Sequence, residues 1–326
     1  MIEVLKPGLL TTIQDIGREG FQQFGVSVSG SIDPLAHKVA NLLAGNDIDS
    51  ALIEITLTGP HLRFHGQTLL SICGADLSPT INGVQQPLWK PLKIEEGDIL
   101  GFGILKEGCR AYLAVAGGIE VPEVMGSKST YLRAGIGGYR GRALQKGDRL
   151  TVGTPSSLSI KMGNALTRNP TTDWSIPHQL IDHSRSRTIR IMPGNEHGQF
   201  QEESREALFN QSYTVSPRSD RMGCRLSGPA IQTETHRDMI SEAVTTGTIQ
   251  VPPDGQPIVL LADRQTTGGY PRIAEVASID LPRVAQAKPG DELRFAPITH
   301  EEAQRLYLQR ERQLRELRQG ISLKYV

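Results

Sequence analysis

Four stretches of this 326-residue chain spend glycine and polar side chains where a purely structural strand would not. They are Pro7-Gly8-Leu9-Leu10-Thr11-Thr12-Ile13-Gln14-Asp15-Ile16-Gly17-Arg18, then Gly25-Val26-Ser27-Val28-Ser29-Gly30-Ser31-Ile32-Asp33, then Gly126-Ser127-Lys128-Ser129-Thr130-Tyr131, which runs on through Gly135, Gly137, Gly138 and Gly141. The fourth and densest joins Ser219-Asp220-Arg221-Met222-Gly223, Gly247-Thr248-Ile249-Gln250-Val251-Pro252 and Asp263-Arg264-Gln265-Thr266-Thr267-Gly268-Gly269-Tyr270-Pro271. Asp263 follows the apolar run Pro257-Ile258-Val259-Leu260-Leu261-Ala262, which puts it at a strand end, where a rigid frame can hold a reacting group. There it could act as a base if burial raises its pKa, orient a substrate N–H if it stays ionised, or simply stabilise a turn.

Gln265, Thr266 and Thr267 supply donors and acceptors, Tyr270 a ring and hydroxyl, and Gly268 with Gly269 lets backbone approach a ligand; a plain turn explains the same glycines. Gln250 ahead of two prolines reaches into a cleft or bonds its own backbone. Ser127, Lys128 and Ser129 suit a phosphate or carboxylate, or belong to a solvated loop. Asp33 reads as a helix cap before a catalyst. Asp15 and Arg18 read as a structural pair near a turn.

Other chemistries lack their motifs. A phosphate-wrapping loop needs Gly before Lys-Ser or Lys-Thr and another Gly five residues earlier, and Gly126-Ser127-Lys128-Ser129 meets neither condition. No metal site is expected. His61 and His65 stand four apart in a strand-like stretch, about 13 Å along the chain, too far for one ion. No Gly-x-Ser-x-Gly elbow is present, and Cys109 and Cys224 read as core residues.

The elements that must position these groups are short strands. Glycine and proline, 34 and 20 in number, punctuate runs such as Leu69–Cys73, Ala111–Ala116, Thr188–Met192 and Ile258–Ala262. One turn recurs at strand entrances: Glu96-Gly97-Asp98, Lys146-Gly147-Asp148 and Pro289-Gly290-Asp291. A second echo pairs Leu57-Thr58-Gly59-Pro60 with Leu226-Ser227-Gly228-Pro229. Two related halves explain both economically; common turn chemistry alone also does. Helices are few. One starts at Asp33-Pro34 and stops at Gly45; the last opens with Thr299-His300-Glu301-Glu302, a capping box, and carries Ala303, Tyr307, Leu314, Leu317 and Ile321 on a stripe interrupted by Arg310. The expected organisation is a first domain over residues 1–153, a polar linker at 154–187, a second domain at 188–298, and a C-terminal helix and tail at 299–326.

The 35 basic and 35 acidic side chains cancel, so no net field steers the chain to nucleic acid or an anionic membrane. Three widely spaced cysteines make a poor disulfide framework, and no stretch approaches eighteen apolar residues, so a cytoplasmic protein is expected.

At the four glycine-rich stretches, from Pro7 to about Phe295, the chain resembles the allophanate hydrolase subunit 2 family, also called the biotin-dependent carboxyltransferase family, and within it the stand-alone KipA type, the branch of 5-oxoprolinase C subunits. The Asp263 to Pro271 string with Gln250-Val251-Pro252 is its most specific part. The resemblance implies a mainly β fold of two cyclophilin-like β-barrel domains, with few helices, a C-terminal helix and a site in the region between the domains. It implies partners, 5-oxoprolinase subunits A and B, the B type resembling the kinase inhibitor KipI. It implies a reaction, the opening of 5-oxoproline to L-glutamate with ATP used by the complex, the chain being inactive alone. No Met-Lys-Met biotin attachment sequence is present, so no covalent biotin is expected.

For 5-oxoproline, a lactam bearing a carboxylate, Arg221 is the first choice to hold the carboxylate through its planar fork; a salt bridge with Asp220 or another surface carboxylate is the structural alternative. Arg221 and Asp263 are thus the candidate catalytic residues. Gln250, Gln265, Thr266, Thr267, Gly268, Gly269, Tyr270, Ser127, Lys128 and Ser129 are the candidate substrate-binding ones. Two other functions stand beside the first: carboxyl transfer to urea or a similar amide from biotin carried elsewhere, and a non-catalytic module that counters a kinase inhibitor.

Overall fold

A computed structural model describes residues 1–166, 172, 174–177, 180, 187–234 and 239–325. The chain divides into two compact units that are not contiguous in sequence. The first takes Met1–Arg18, Ser29–Ile181 and Arg312–Val326; the second takes Glu19–Val28 and Asp182–Glu311. Strands dominate both.

In the first unit the strands form two antiparallel sheets. One runs, in hydrogen-bonded order, Ile119–Glu120, Arg149–Val152, Ile2–Lys6, His61–Phe64, Ile99–Phe102, Pro79–Ile81 and Val84–Gln85; the other runs Leu10–Gln14, Leu52–Thr56, Glu107–Val115, Thr68–Asp76 and Pro91–Ile94. Side-chain period explains the difference in their sequences. In the first sheet Ile2, Val4, Leu62 and Phe64 are buried while Glu3, His61 and Arg63 alternate with them. The second sheet is covered on both faces, so its strands are buried along most of their length. Ile53, Ile55, Leu70, Ile72, Leu113 and Val115 join the core that includes Ile2 and Phe64, whereas Leu52, Leu69, Cys73, Tyr112 and Ala114 join Leu35, Val39, Leu42 and Leu43 of the helix Pro34–Leu43.

That helix starts as its sequence dictates. Asp33 Oδ1 accepts the Ala36 N–H at 2.9 Å, Pro34 occupies the first turn, and Gly45 at φ +72° follows its end. Asp33 is therefore a cap. A second helix, Ser157–Ala165, lies inside the stretch read as linker, with Ser156 Oγ accepting from Ser159 N at 3.0 Å and Met162 fully buried. The sequence hides it because a serine cap and few apolar anchors look like polar loop; most of the remaining linker lies outside the described residues.

The recurring Gly-Asp turn is one structure built three times. Gly97, Gly147 and Gly290 have φ of 88°, 89° and 89°, and Asp98, Asp148 and Asp291 each accept, through Oδ2, the N–H three residues back. Each glycine N–H and the following aspartate carbonyl clasp a single residue, respectively Phe64, Val4 and Val215. Two of these turns belong to the first unit and one to the second.

The second unit is a closed barrel in the order Thr188–Pro193, Arg272–Val276, Thr248–Gln250, Ile258–Leu260, Gly223–Ser227, Ser212–Val215, Glu292–Pro297, and back to Thr188–Pro193 through a parallel pair. Closure leaves no open edge in it. The helix His300–Lys324 ends the fold, with Glu302 N donating to Thr299 Oγ1 at 3.2 Å. Arg310 does not interrupt its buried stripe. It is buried and donates to the carbonyls of Ser278 and Ile279, while Tyr307, expected inside, is 41% exposed. The three cysteines are buried and form no disulfide among the described residues, and no helix of the described residues is long and apolar enough to cross a membrane.

His37 lies at the first unit's helix, fully buried, with Asn41 Nδ2 donating to its Nε2 at 3.1 Å and Ser31 Oγ 2.7 Å from Nδ1. Burial lowers its pKa from 6.5 to about 4, against a smaller raising effect of Asp15. The unfolded imidazole takes a proton near pH 6.5 and the folded one only near 4, so the unfolded chain binds more protons in that window. Stability should fall by roughly 3 kcal/mol as the pH drops through that window, and urea unfolding of His37→Gln should show a flatter pH dependence between those limits.

Candidate functional site

In the first unit the Ser127-Lys128-Ser129 loop does bind an anion, and the anion is the chain's own Asp15. Ser127 Oγ donates to Asp15 Oδ1 at 2.7 Å, Lys128 N to Oδ2 at 2.6 Å, and Ser129 Oγ to Oδ1 as well. Gly17 N adds a fourth donor at 2.8 Å, and Asp15 N in turn donates to Ser129 Oγ at 3.0 Å. Both serines are fully buried. Arg18, also fully buried, donates through Nη2 to the Ser129 carbonyl and through Nε to that of Val124. A carboxylate taken out of water needs this many donors. The hydroxyls of Ser127 and Ser129, expected to meet a substrate anion, are taken up by Asp15, and the loop is a latch between two sequence motifs more than 110 residues apart.

In the second unit Arg221 and Asp263 meet. Arg221 Nε donates to Asp263 Oδ2 at 2.9 Å and Nη2 to Oδ1 at 3.1 Å, and the Asp263 N–H reaches the Arg221 carbonyl at 2.9 Å. Both side chains are almost wholly buried, at 4% and 3% exposure. This corrects the role assigned to Arg221. The fork expected to grip a substrate carboxylate grips Asp263, and the alternative partner, Asp220, instead accepts the backbone N–H groups of Met222 and Gly223. Ser27, from the second motif, joins this unit by donating to the Ala262 carbonyl at 3.3 Å.

The motifs around Gln250 and Tyr270 converge on a cleft. Gln250 Nε2 donates to the Tyr270 carbonyl at 3.1 Å, and Val251 N to that of Pro271 at 3.0 Å. Gly268 lets the Gln250 amide lie against the backbone: a Cβ there would stand 2.4 Å from Gln250 Nε2 and displace that amide. Thr267–Gly268 pairs with Glu242–Ala243, and the Thr266 carbonyl accepts from Val244 N. Gly269, Tyr270 and Pro271 then line a cleft of about 460 Å³ with Val251 to Gly255, Ile231, Gln232, Thr233 and Gln199. Its volume is that of small-molecule sites in general. Neither Arg221 nor Asp263 lines it, and Gln265 is exposed.

Two charged groups escaped the sequence reading. Arg272, buried, is held by Glu196 at 2.7 and 2.6 Å and also by Glu242; the guanidinium keeps the Glu196 carboxyl below its usual range. It thereby anchors the short strand opposite Thr267–Gly268. Arg264, 8% exposed, donates to the Val244 carbonyl at 3.2 Å and to Thr246 Oγ1 at 2.8 Å. The one sequence signal for it is its place inside the Asp263 to Pro271 string.

The family model for the carboxyltransferase domain, subdomain A and B, matches residues 24–297. The chain belongs to this family. Among carboxyltransferase-domain proteins it is similar to the C subunit of Escherichia coli 5-oxoprolinase, 38% identical over 305 residues and covering 93% of each chain. It is 35% identical to the C subunit of the Haemophilus influenzae 5-oxoprolinase, over 99% of this chain and all of that one. Among solved structures, urea amidolyase of K. lactis matches with a TM-score of 0.87 and 33% identity, over 97% of this chain but 20% of that one.

The buried pair dictates how variants behave. Arg221→Met strands the Asp263 carboxylate without its guanidinium and should cost about 3–5 kcal/mol. Arg221→Met/Asp263→Leu should recover most of that loss in thermal unfolding; a loss in the double variant equal to the sum of the Arg221→Met and Asp263→Leu losses would show that the two charges are not coupled.

Proposed function

We propose that the chain is the C subunit of a cytoplasmic, hetero-oligomeric, ATP-dependent 5-oxoprolinase, acting with subunits A and B to open 5-oxoproline to L-glutamate. The observation that carries the reading is likeness: the chain is 38% and 35% identical to two 5-oxoprolinase C subunits over 93% and 99% of its length. ATP is used by the complex, and the chain carries no covalent biotin.

Under this reading the second unit's cleft receives the lactam. Val251, Pro252, Pro271 and Ile231 present apolar surface to ring methylenes, while Gln199, Gln232 and Thr233 present amide and hydroxyl groups to the ring C=O and N–H. Tyr270, 45% exposed at the rim, covers the bound ring. The role of the Arg221–Asp263 pair is to fix the start of the Asp263 to Pro271 segment, so it positions and does not touch substrate.

Carboxyl transfer to an amide is the second reading, favoured by the family model and by the K. lactis match. It requires a biotinylated partner and binding of free biotin by the chain.

Mixing the purified chain with subunits A and B should give ATP-dependent glutamate formation. No product under conditions where an established complex works would remove the first reading. In the active mixture Tyr270→Ala should raise KM for 5-oxoproline about tenfold, the worth of one aromatic contact, and leave the melting temperature unchanged.

A further inference from the structure

Arg221 and Arg272 each neutralise their buried charge with a two-pronged carboxylate contact. Arg264, comparably buried, does not. Its guanidinium makes two hydrogen bonds to neutral oxygens, the Val244 carbonyl and Thr246 Oγ1, and no ion pair among the described residues. The acid whose field reaches it is Glu275, whose Oε2 is approached by Thr245 Oγ1 at 3.3 Å. Burial raises the proton affinity of Glu275 and lowers that of Arg264, so each group is short of compensation.

Nη2 of Arg264 donates to nothing among the described residues, yet it is not sealed from solvent. Thr246 Oγ1 accepts from Nη1, which leaves the Thr246 hydroxyl hydrogen to donate elsewhere. A guanidinium N–H and a hydroxyl, brought together by the Arg264 Nη1 to Thr246 Oγ1 hydrogen bond between two loops, are the donor set for one carboxylate. We infer that Arg264 and Thr246 form a binding site for the carboxylate of a small organic acid. The site stands on its own geometry, and neither of its residues lines the cleft that the function proposed above assigns to the lactam.

Calorimetric titration of the full chain with 5-oxoproline, acetate and 2-pyrrolidinone, the lactam without a carboxylate, tests this. Carboxylate probes should bind the wild type. Their Kd should rise at least tenfold in Arg264→Gln and several-fold in Thr246→Val, with 2-pyrrolidinone indifferent to both changes. Because Arg264 makes no ion pair among the described residues, Arg264→Gln should lower the melting temperature far less than Arg221→Met. Acetate binding that depends on Arg264, without 5-oxoproline binding, upholds the site and removes 5-oxoproline as its acid. Carboxylate affinity unchanged in both variants, no carboxylate binding by the wild type, or a sharp fall in melting temperature for Arg264→Gln overturns the inference.

Discussion

A charge withdrawn from water must find compensating groups within hydrogen-bond reach, and the polar loops of both units are arranged around that demand. Asp15 collects four donors, Arg221 takes both oxygens of Asp263, and Arg272 takes both oxygens of Glu196. In each case the partners come from segments far apart in sequence, so the electrostatic requirement also decides which loops lie together. The glycine-rich stretches are the slack that lets backbone fold closely around these centres.

This constraint bears on function because charged side chains in a site look alike before their partners are known. Arg221 and Asp263 have the types expected of a substrate anchor and a base, but as a mutual pair they form one structural unit. A loss of activity on replacing either one conflates fold with chemistry. Arg264, by contrast, lacks the two-pronged carboxylate contact of Arg221 and Arg272 although it is comparably buried, and such departures are where proteins trade stability for ligand binding. The family assignment and the shared fold leave both 5-oxoproline opening and carboxyl transfer within the same architecture.

Much of the architecture was legible from local chemistry. The Gly-Asp turns, the Asp33-Pro34 helix start, the Thr299 cap and the strands around Leu69–Cys73 and Ala111–Ala116 each rest on residues within a few positions of one another, and each is present. The polar pairings were not legible. Ser127 and Asp15 are 112 residues apart, Arg221 and Asp263 are 42 apart, and nothing in either neighbourhood names the other. The helix Ser157–Ala165 was missed because its signal is one serine cap and one deeply buried methionine. Arg310 misled for the opposite reason: its charge suggested solvent, while its guanidinium serves two carbonyls inside.

The ten residues Glu19–Val28 belong to the second unit, and Ser27 meets the Ala262 carbonyl across a separation of 235 residues. At about 5–20 residues per second, a ribosome takes on the order of 10–50 s to cross that interval. During all of it the earliest-made piece of the second unit has no barrel to join. The nascent chain must keep Phe24, 72% exposed even in the finished fold, from engaging the wrong surface while the loop that will close remains long and entropically costly.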